Sequence, residues 1–326
     1  MKKIIFILLA GFYVKSAYCQ FDFPEQKESM ELKDRTLLVE LKEEDPKTIK
    51  KLSKVPADLE AYKNEIKAYN EMMQKYFPAY WNLNNTIEYK TTSEIDALFE
   101  KQPKPKYAVF NSGWTQKQQQ THNNVKTLYD VYSFKIYLQE DAKKRNNYPK
   151  AKGCFFSVSL RSDEISPGDL VFIIHQFNNF ISTSASGGKK SDLFNIESNL
   201  ETLKNKTLLL DKNTLDIDEG KISAAYPNSF KVVTNLEIEQ AIIDKNKEDV
   251  YISFVWSDKK NCYLYVVADA ENGKLLSRMG EGGFNISIIN PNSNVPTQPL
   301  MSYRSGFAIK ASHLKVITNK FAQKIN

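Results

Sequence analysis

The chain has 326 residues, 41% of them hydrophobic and 26% charged, the balance of a folded protein about two domains long. Its formal net charge is +6, and Lys2, Lys3 and Lys15 supply three of those six charges within the opening stretch. What remains is too little for the basic face or stripe that nucleic-acid binding requires.

Residues 1–19 read as a secretory signal peptide. Lys2 and Lys3 precede an apolar run from Ile4 to Val14, and the small residues Ala17 and Cys19 stand ahead of Gln20 as a cleavage site. The run is too short to span a bilayer, so the mature chain is expected to be exported, periplasmic or secreted, without a transmembrane helix. Cys19 is also a candidate for lipid anchoring, although bulky Tyr18 stands where a lipoprotein signal wants a small residue. Two later cysteines, Cys154 and Cys262, are expected as buried thiols, because they fall on non-equivalent strands of two repeats.

Those repeats are announced by two octapeptides. Leu32 to Val39 reads LKDRTLLV and Leu203 to Leu210 reads LKNKTLLL. In the first repeat, residues 28–181, a strand is expected over Thr36–Leu41. A short helix then opens at Asp45-Pro46. A longer one opens at Pro56, with Leu59, Tyr62, Ile66, Tyr69, Met73 and Tyr76 at helical spacing up to Pro78. A strand over Ile87–Lys90 leads to a helix over Glu94–Lys101, capped by Thr92 or Ser93. Tyr107–Asn111 is the next strand, followed by a Gln-rich connection from Ser112 to Asn124. Val131–Leu138 and Cys154–Leu160 are strands joined through the basic turn Lys143-Lys144-Arg145, and Ser166-Pro167 opens the closing helix.

Residues 182–198 read as a flexible linker, small and polar in its first half. The second repeat, residues 199–321, has the same order with shorter connections. Strands are expected over Thr207–Leu210, Phe230–Val233, Val250–Trp256, Asn261–Ala268 and Phe284–Ile289. Helices are expected over Asp218–Tyr226, over Glu237–Asp244 with Asn235 as cap, and from Ala308 to Lys324. Laid without gaps, Phe134, Ile136 and Leu138 match Cys262, Leu264 and Val266. Asn272-Gly273 marks a tight turn. The fold class is therefore α/β (α+β): two tandem repeats, each a mixed sheet of about five strands with packed helices in the order β-α-β-α-β-β-β-α.

With Val250–Trp256, Cys262–Ala268 and the segment from Asp269 to Leu276, each repeat resembles the N-terminal domain of TolB-like and CsgG-type periplasmic proteins. The resemblance lies in element order and the aspartate-to-glycine turn before a hairpin strand, which the first repeat lacks. It implies an envelope scaffold or interaction role and carries over no catalytic residues.

Motifs for chemistry are sparse. His122, His175 and His313 have no neighbouring ligand types at metal-site spacing. Asp216, Asp218 and Glu219 break the calcium-loop pattern at Gly220, and Gly188-Lys189 lacks the flanking residues of a phosphate loop. Gly280, Gly282 and Gly283 lack the third glycine of a dinucleotide fingerprint, Asn285 standing in its place. No catalytic residue, cofactor or metal is assigned. Trp114 and Trp256, each at the end of a third strand, are the candidate binding residues, with edge cover of their own cores as the competing reading. The expected role is a non-enzymatic one, binding envelope proteins through two duplicated domains. Small-molecule or glycan binding in the cleft between repeats is the alternative, and a hydrolase with an unrecognised carboxylate pair stands behind it. The working surfaces are expected where the repeats differ, at Asp45–Tyr76, Ser112–Asn124 and Asn290–Pro299.

Overall fold

The first octapeptide straddles a helix end and a strand. In the computed structural model, which describes residues 23–102, 105–120, 126–143, 145, 153–258, 262–281 and 308–320, Leu32 lies in α1 (Gln26–Lys33) and Thr36 opens β1 (Thr36–Leu41). Then come α2 (Pro46–Leu52), α3 (Pro56–Tyr80), β2 (Ile87–Thr91) and α4 (Thr92–Lys101). The repeat continues with β3 (Tyr107–Gln120), β4 (Lys126–Leu138), α5 (Gln139–Ala142), β5 (Phe156–Leu160) and α6 (Pro167–Ala185). The strands form one sheet in the order β2-β1-β3-β4-β5. β1 pairs parallel with both β2 and β3, and the hairpin strands β4 and β5 add antiparallel.

Several local readings hold and several move. Asp45 caps α2 by accepting from the backbone N–H groups of Lys47 and Thr48. The cap of α4 is Thr91, in a reciprocal capping box with Glu94, rather than Thr92 or Ser93. Pro78 sits inside the last turn of α3, which continues to Tyr80. Helix α1 is absent from the sequence expectation because it is polar nearly throughout; Leu32 is its one fully buried leucine. The Gln-rich connection is largely strand: β3 runs on to Gln120 and pairs residue by residue with β4 from Lys126. A ladder of backbone hydrogen bonds does not need apolar side chains, so alternation fails to report it.

Helix α6 runs to Ala185, into the stretch expected as linker, and a 3-10 turn at Lys190–Leu193 follows. The second repeat is α7 (Ile196–Asn205), β6 (Thr207–Asp211), α8 (Glu219–Ala225), β7 (Phe230–Val233), α9 (Asn235–Ile243), β8 (Asp249–Ser257), β9 (Cys262–Asp269), β10 (Leu275–Glu281) and α10 (Ala311–Ile317). Its sheet order is β10-β9-β8-β6-β7. α9 is capped by Thr234 in a capping box with Glu237, so the cap lies one residue before Asn235. The fifth strand is β10, after a turn in which Gly273 has φ +66°. The strand expected over residues 284–289 lies outside the described residues, as does the loop at 290–299. Neither Cys154 nor Cys262 is in a disulfide.

Strand register corrects the alignment of the repeats. Leu37 pairs with Ala108 and Leu208 with Val250; Ala108 then pairs with Leu138 and Val250 with Asp269. Leu138 therefore corresponds to Asp269, not Val266. The odd three-residue difference exchanges which side chains face which side of the sheet.

Helix α6 binds the two repeats together. Leu170 to Ile174 are all buried in succession, which no helix with one wet face shows. On one side Phe177 packs edge-on against Phe110 and Phe156, at 5.2 and 5.0 Å between centroids. On the other, Phe172 meets Tyr251 of β8 at 6.2 Å. One continuous core thus joins Leu37, Val39 and Phe110 of the first sheet to Leu209, Val266 and Ala268 of the second. A second core, with Ile222 of α8 and Leu314 of α10, covers the far face of the second sheet. The layers run α4, first sheet, α3 with α6, α9, second sheet, α8 with α10. The β9–β10 turn fits against α6: Gln176 donates to the Gly273 carbonyl at 2.8 Å, and a Cβ on Gly273 would lie 2.4 Å from that of His175.

Two outcomes follow. Phe177→Ala should cost about 3–5 kcal/mol, and hydrogen exchange should report strands of both sheets losing protection together. Burial, with the Lys245 charge adding to it, holds the His175 imidazole down at about 4. The unfolded chain protonates near 6.5, so the stabilisation from neutral His175 is complete above that pH and fades as pH falls towards 4. Urea midpoints should register a loss of up to about 3 kcal/mol over that window, and His175→Gln should flatten it.

Candidate functional site

The second sheet contains a topological switch. The chain leaves β6 for β7 through α8 and returns to β8 on the other side of β6 through α9. Ile222 of α8 belongs to the core on one face of the sheet, and Ile238 and Ile242 of α9 belong to the core on the other. Where successive connections part to opposite faces, a crevice opens beyond the carboxyl ends of the strands, the usual ligand position in open α/β sheets.

A cavity of about 750 Å³ lies there. Its floor and walls come from both repeats: Arg161 and Glu164 after β5, Ser166, Gly168, Asp169 and Phe172 at the start of α6, Asp211 at the end of β6, Asn235 and Glu239 of α9, and Tyr251 to Phe254 of β8. Four carboxylates (Glu164, Asp169, Asp211 and Glu239) face one guanidinium, Arg161, so the cavity is acidic on balance. Arg161 lies with its Cζ 4.9 Å from the Phe254 ring centroid.

The start of α6 orders part of this wall. Ser166 and Asp169 form a capping box, with the Ser166 N–H donating to Asp169 Oδ2 at 3.2 Å and the Asp169 N–H to Ser166 Oγ at 3.1 Å. Burial pushes the Asp169 carboxyl up, and these hydrogen bonds and the Arg161 charge partly oppose it. Burial also raises Glu239; the Ser166 hydroxyl opposes that shift and the Asp169 charge adds to it. Gly168 allows this closeness, since a Cβ there would stand 3.0 Å from Glu239 Cγ. Tyr251 is 3% exposed and lines the cavity, and its hydroxyl has no hydrogen-bond partner. Desolvation drives its acidity far below that of an ordinary tyrosine, with the charges of Asp169 and Asp269 adding to the effect.

The first repeat shows what the corresponding place looks like when filled. Glu40 pairs in register with Lys90 as Asp211 does with Val233, and Asp96 and Glu239 both stand five residues into helices begun by equivalent capping boxes. In the first repeat Arg145 joins the two acids. Its Nε donates to Glu40 Oε2 and its Nη1 to Asp96 Oδ1, each at 2.9 Å, and its Nη2 donates to the Thr92 carbonyl at 3.2 Å. The Thr92 hydroxyl closes on the other Glu40 oxygen. Arg145 and Glu40 are 3% and 8% exposed, so this ion pair is a buried one.

The two tryptophans singled out from sequence do not meet in this site. Trp114 is 39% exposed and packs edge-on against Tyr132, its cross-strand partner on β4. Trp256 is 3% exposed, packs with Val131 and Tyr263, and donates from Nε1 to Asp258 at 2.8 Å. Val131 and Tyr132 are consecutive strand residues, so the two indoles lie on opposite faces of the β3–β4 ribbon. His175 is packed against Tyr80, and His313 accepts from the Lys310 N–H within the first turn of α10; His122 lies outside the described residues. Among the described residues no group of three or more His, Cys, Asp or Glu side chains could hold a metal ion.

The carboxylates of the cavity escaped the sequence reading, although a signal was present. Thr91-Thr92-Ser93-Glu94-Ile95-Asp96 and Thr234-Asn235-Leu236-Glu237-Ile238-Glu239 align, and Glu40 and Asp211 each follow the repeated octapeptide directly. No family model matches the chain, and neither the curated proteins nor the solved structures contain a match.

Replacing Arg145 by methionine strands Glu40 in the interior. Melting of Arg145→Met should show a loss of about 3–5 kcal/mol, of which Glu40→Gln in the same chain recovers a part.

Proposed function

We propose that the chain is an exported, non-enzymatic binding protein whose ligand site is the crevice between its two repeats. The observation that carries this reading is the cavity itself. It stands at the switch point of the second sheet and is walled by both repeats. Its lining mixes aromatic rings with several polar groups, the composition that small-molecule sites share. Tyr251 lines it, and its buried hydroxyl lacks a partner among the described residues, an unmet polar group of the kind a ligand satisfies. The leader-like residues 1–19 support export, and the element order shared with TolB-like and CsgG-type domains supports work in an envelope. Among the described residues no helix is long and apolar enough to cross a membrane.

Binding is favoured over hydrolysis by what the acids already do. Asp169 is engaged as a helix cap through its own side chain. A protein-binding role has less to rest on. The exposed large hydrophobics Met30, Val55, Trp114 and Leu236 come from four separate segments, and single exposed apolar side chains do not call for a partner.

A thermal-shift panel of amino acids, amines and sugars tests the site. At least one compound should raise the melting temperature of the wild-type chain and leave Ser253→Trp, which fills the cavity, unmoved. A panel in which no compound acts, or in which both proteins respond alike, would overturn the assignment.

A further inference from the structure

We infer that the crevice takes a guanidinium-bearing ligand between Asp211 and Glu239, in the position that Arg145 fills between Glu40 and Asp96 in the first repeat. The inference rests on the crevice being a ligand site and names what that site selects.

The two repeats carry the same pair of acids. A single architecture places an acid at the end of the central strand and another in the second turn of the following helix, on the same face of the sheet. It does so twice, as Glu40 with Asp96 and as Asp211 with Glu239. In the first repeat the chain answers that pair itself, with a guanidinium that reaches both acids at hydrogen-bonding distance. The planar, forked donor set of a guanidinium suits two carboxylates on neighbouring elements. In the second repeat no lysine or arginine among the described residues takes that place. Leu138 corresponds to Asp269, and where the first repeat continues through α5 to the basic turn holding Arg145, the second turns at once through Asn272-Gly273 into β10.

What the second pair does instead is visible. Asp211 accepts from the Asn213 N–H at 3.0 Å, and Glu239 accepts from Asn235 Nδ2 at 2.6 Å and from the Ser166 hydroxyl. Among the described residues no lysine or arginine pairs with either acid, and both face the cavity. An acidic pair alone would not identify a ligand. The second, independent observation is the Tyr251 hydroxyl, which is buried and without a partner among the described residues, on a side chain that lines the same cavity. Phe172, which meets Tyr251 on the same face of the sheet, supplies apolar surface beside it for the planar cation or its alkyl stem.

Calorimetric titration of the full chain tests this, with agmatine, L-arginine and an arginine-containing tripeptide as probes and L-citrulline as the uncharged isostere. Agmatine and L-arginine report a free small molecule, and the tripeptide reports an arginyl side chain on a larger ligand. At least one guanidinium probe should bind, and citrulline should not. Asp211→Asn and Glu239→Gln should each weaken binding tenfold or more, and Tyr251→Phe severalfold. Circular dichroism of each variant separates loss of binding from loss of fold. Asp96→Asn, the matching change in the first repeat, should leave the affinity unchanged. Equal affinity for citrulline, or undiminished binding by both Asp211→Asn and Glu239→Gln, would overturn the inference. If the thermal-shift panel finds a ligand for the crevice and no guanidinium probe binds, the cation preference falls and the site stands. If nothing binds, both fall.

Discussion

The whole arrangement depends on α6 being buried on two sides. Such a helix has to find two apolar partners, and here each partner is a sheet. The first is the sheet to which α6 belongs by chain order, met through Phe177. The second is the sheet of the following repeat, met through Phe172 and the β9–β10 turn. Its counterpart α10 has the easier task of closing one face of one sheet. The repeats therefore share a core, and the position of the crevice follows. The crevice lies where the start of α6 passes over the carboxyl ends of β6 and β8.

The divergence between the repeats that bears on the crevice lies in the connection after the fourth strand position. In the first repeat that connection is long enough to carry Arg145 back under the sheet, and the result is a closed, paired, buried ion cluster. In the second it is a tight turn whose Gly273 accepts the close approach of His175. The same shortening makes room for α6 and leaves Asp211 and Glu239 facing open space. A structural need, room for one helix, and a binding opportunity thus come from one change in loop length.

The sequence revealed the class of the fold well and its site poorly. Period-two and period-3.6 patterns marked α3, β1, β8 and α6 because each buries one or more full faces. They failed for α1, which buries little besides Leu32, and for the outer half of β3, which is held by backbone pairing. They also misaligned the repeats by three residues, since Phe134, Ile136 and Leu138 and their neighbours are apolar in either register. The tryptophans drew attention for their place at the ends of third strands, and Trp256 proved to be packed against Val131 and Tyr263. The acids of the crevice lay beside the most obvious repeat in the chain. Charged residues at strand ends and in first helical turns are common, and only the comparison of their partners, Arg145 on one side and a cavity on the other, sets these apart.

The shared helix also bears on how such a chain could have arisen and how it can be divided. A single repeat, closed by one helix on one sheet face, would have had only the helix after its second strand to cover the opposite face. In the second repeat that cover is completed from outside it, with Leu209, Tyr251, Val266 and Ala268 sharing a core with a helix encoded upstream. The boundary in the gene is therefore not the boundary in the molecule. A fragment beginning after residue 185 would keep all five strands of its sheet and yet emerge with that apolar surface bare, a self-associating half rather than a free-standing domain.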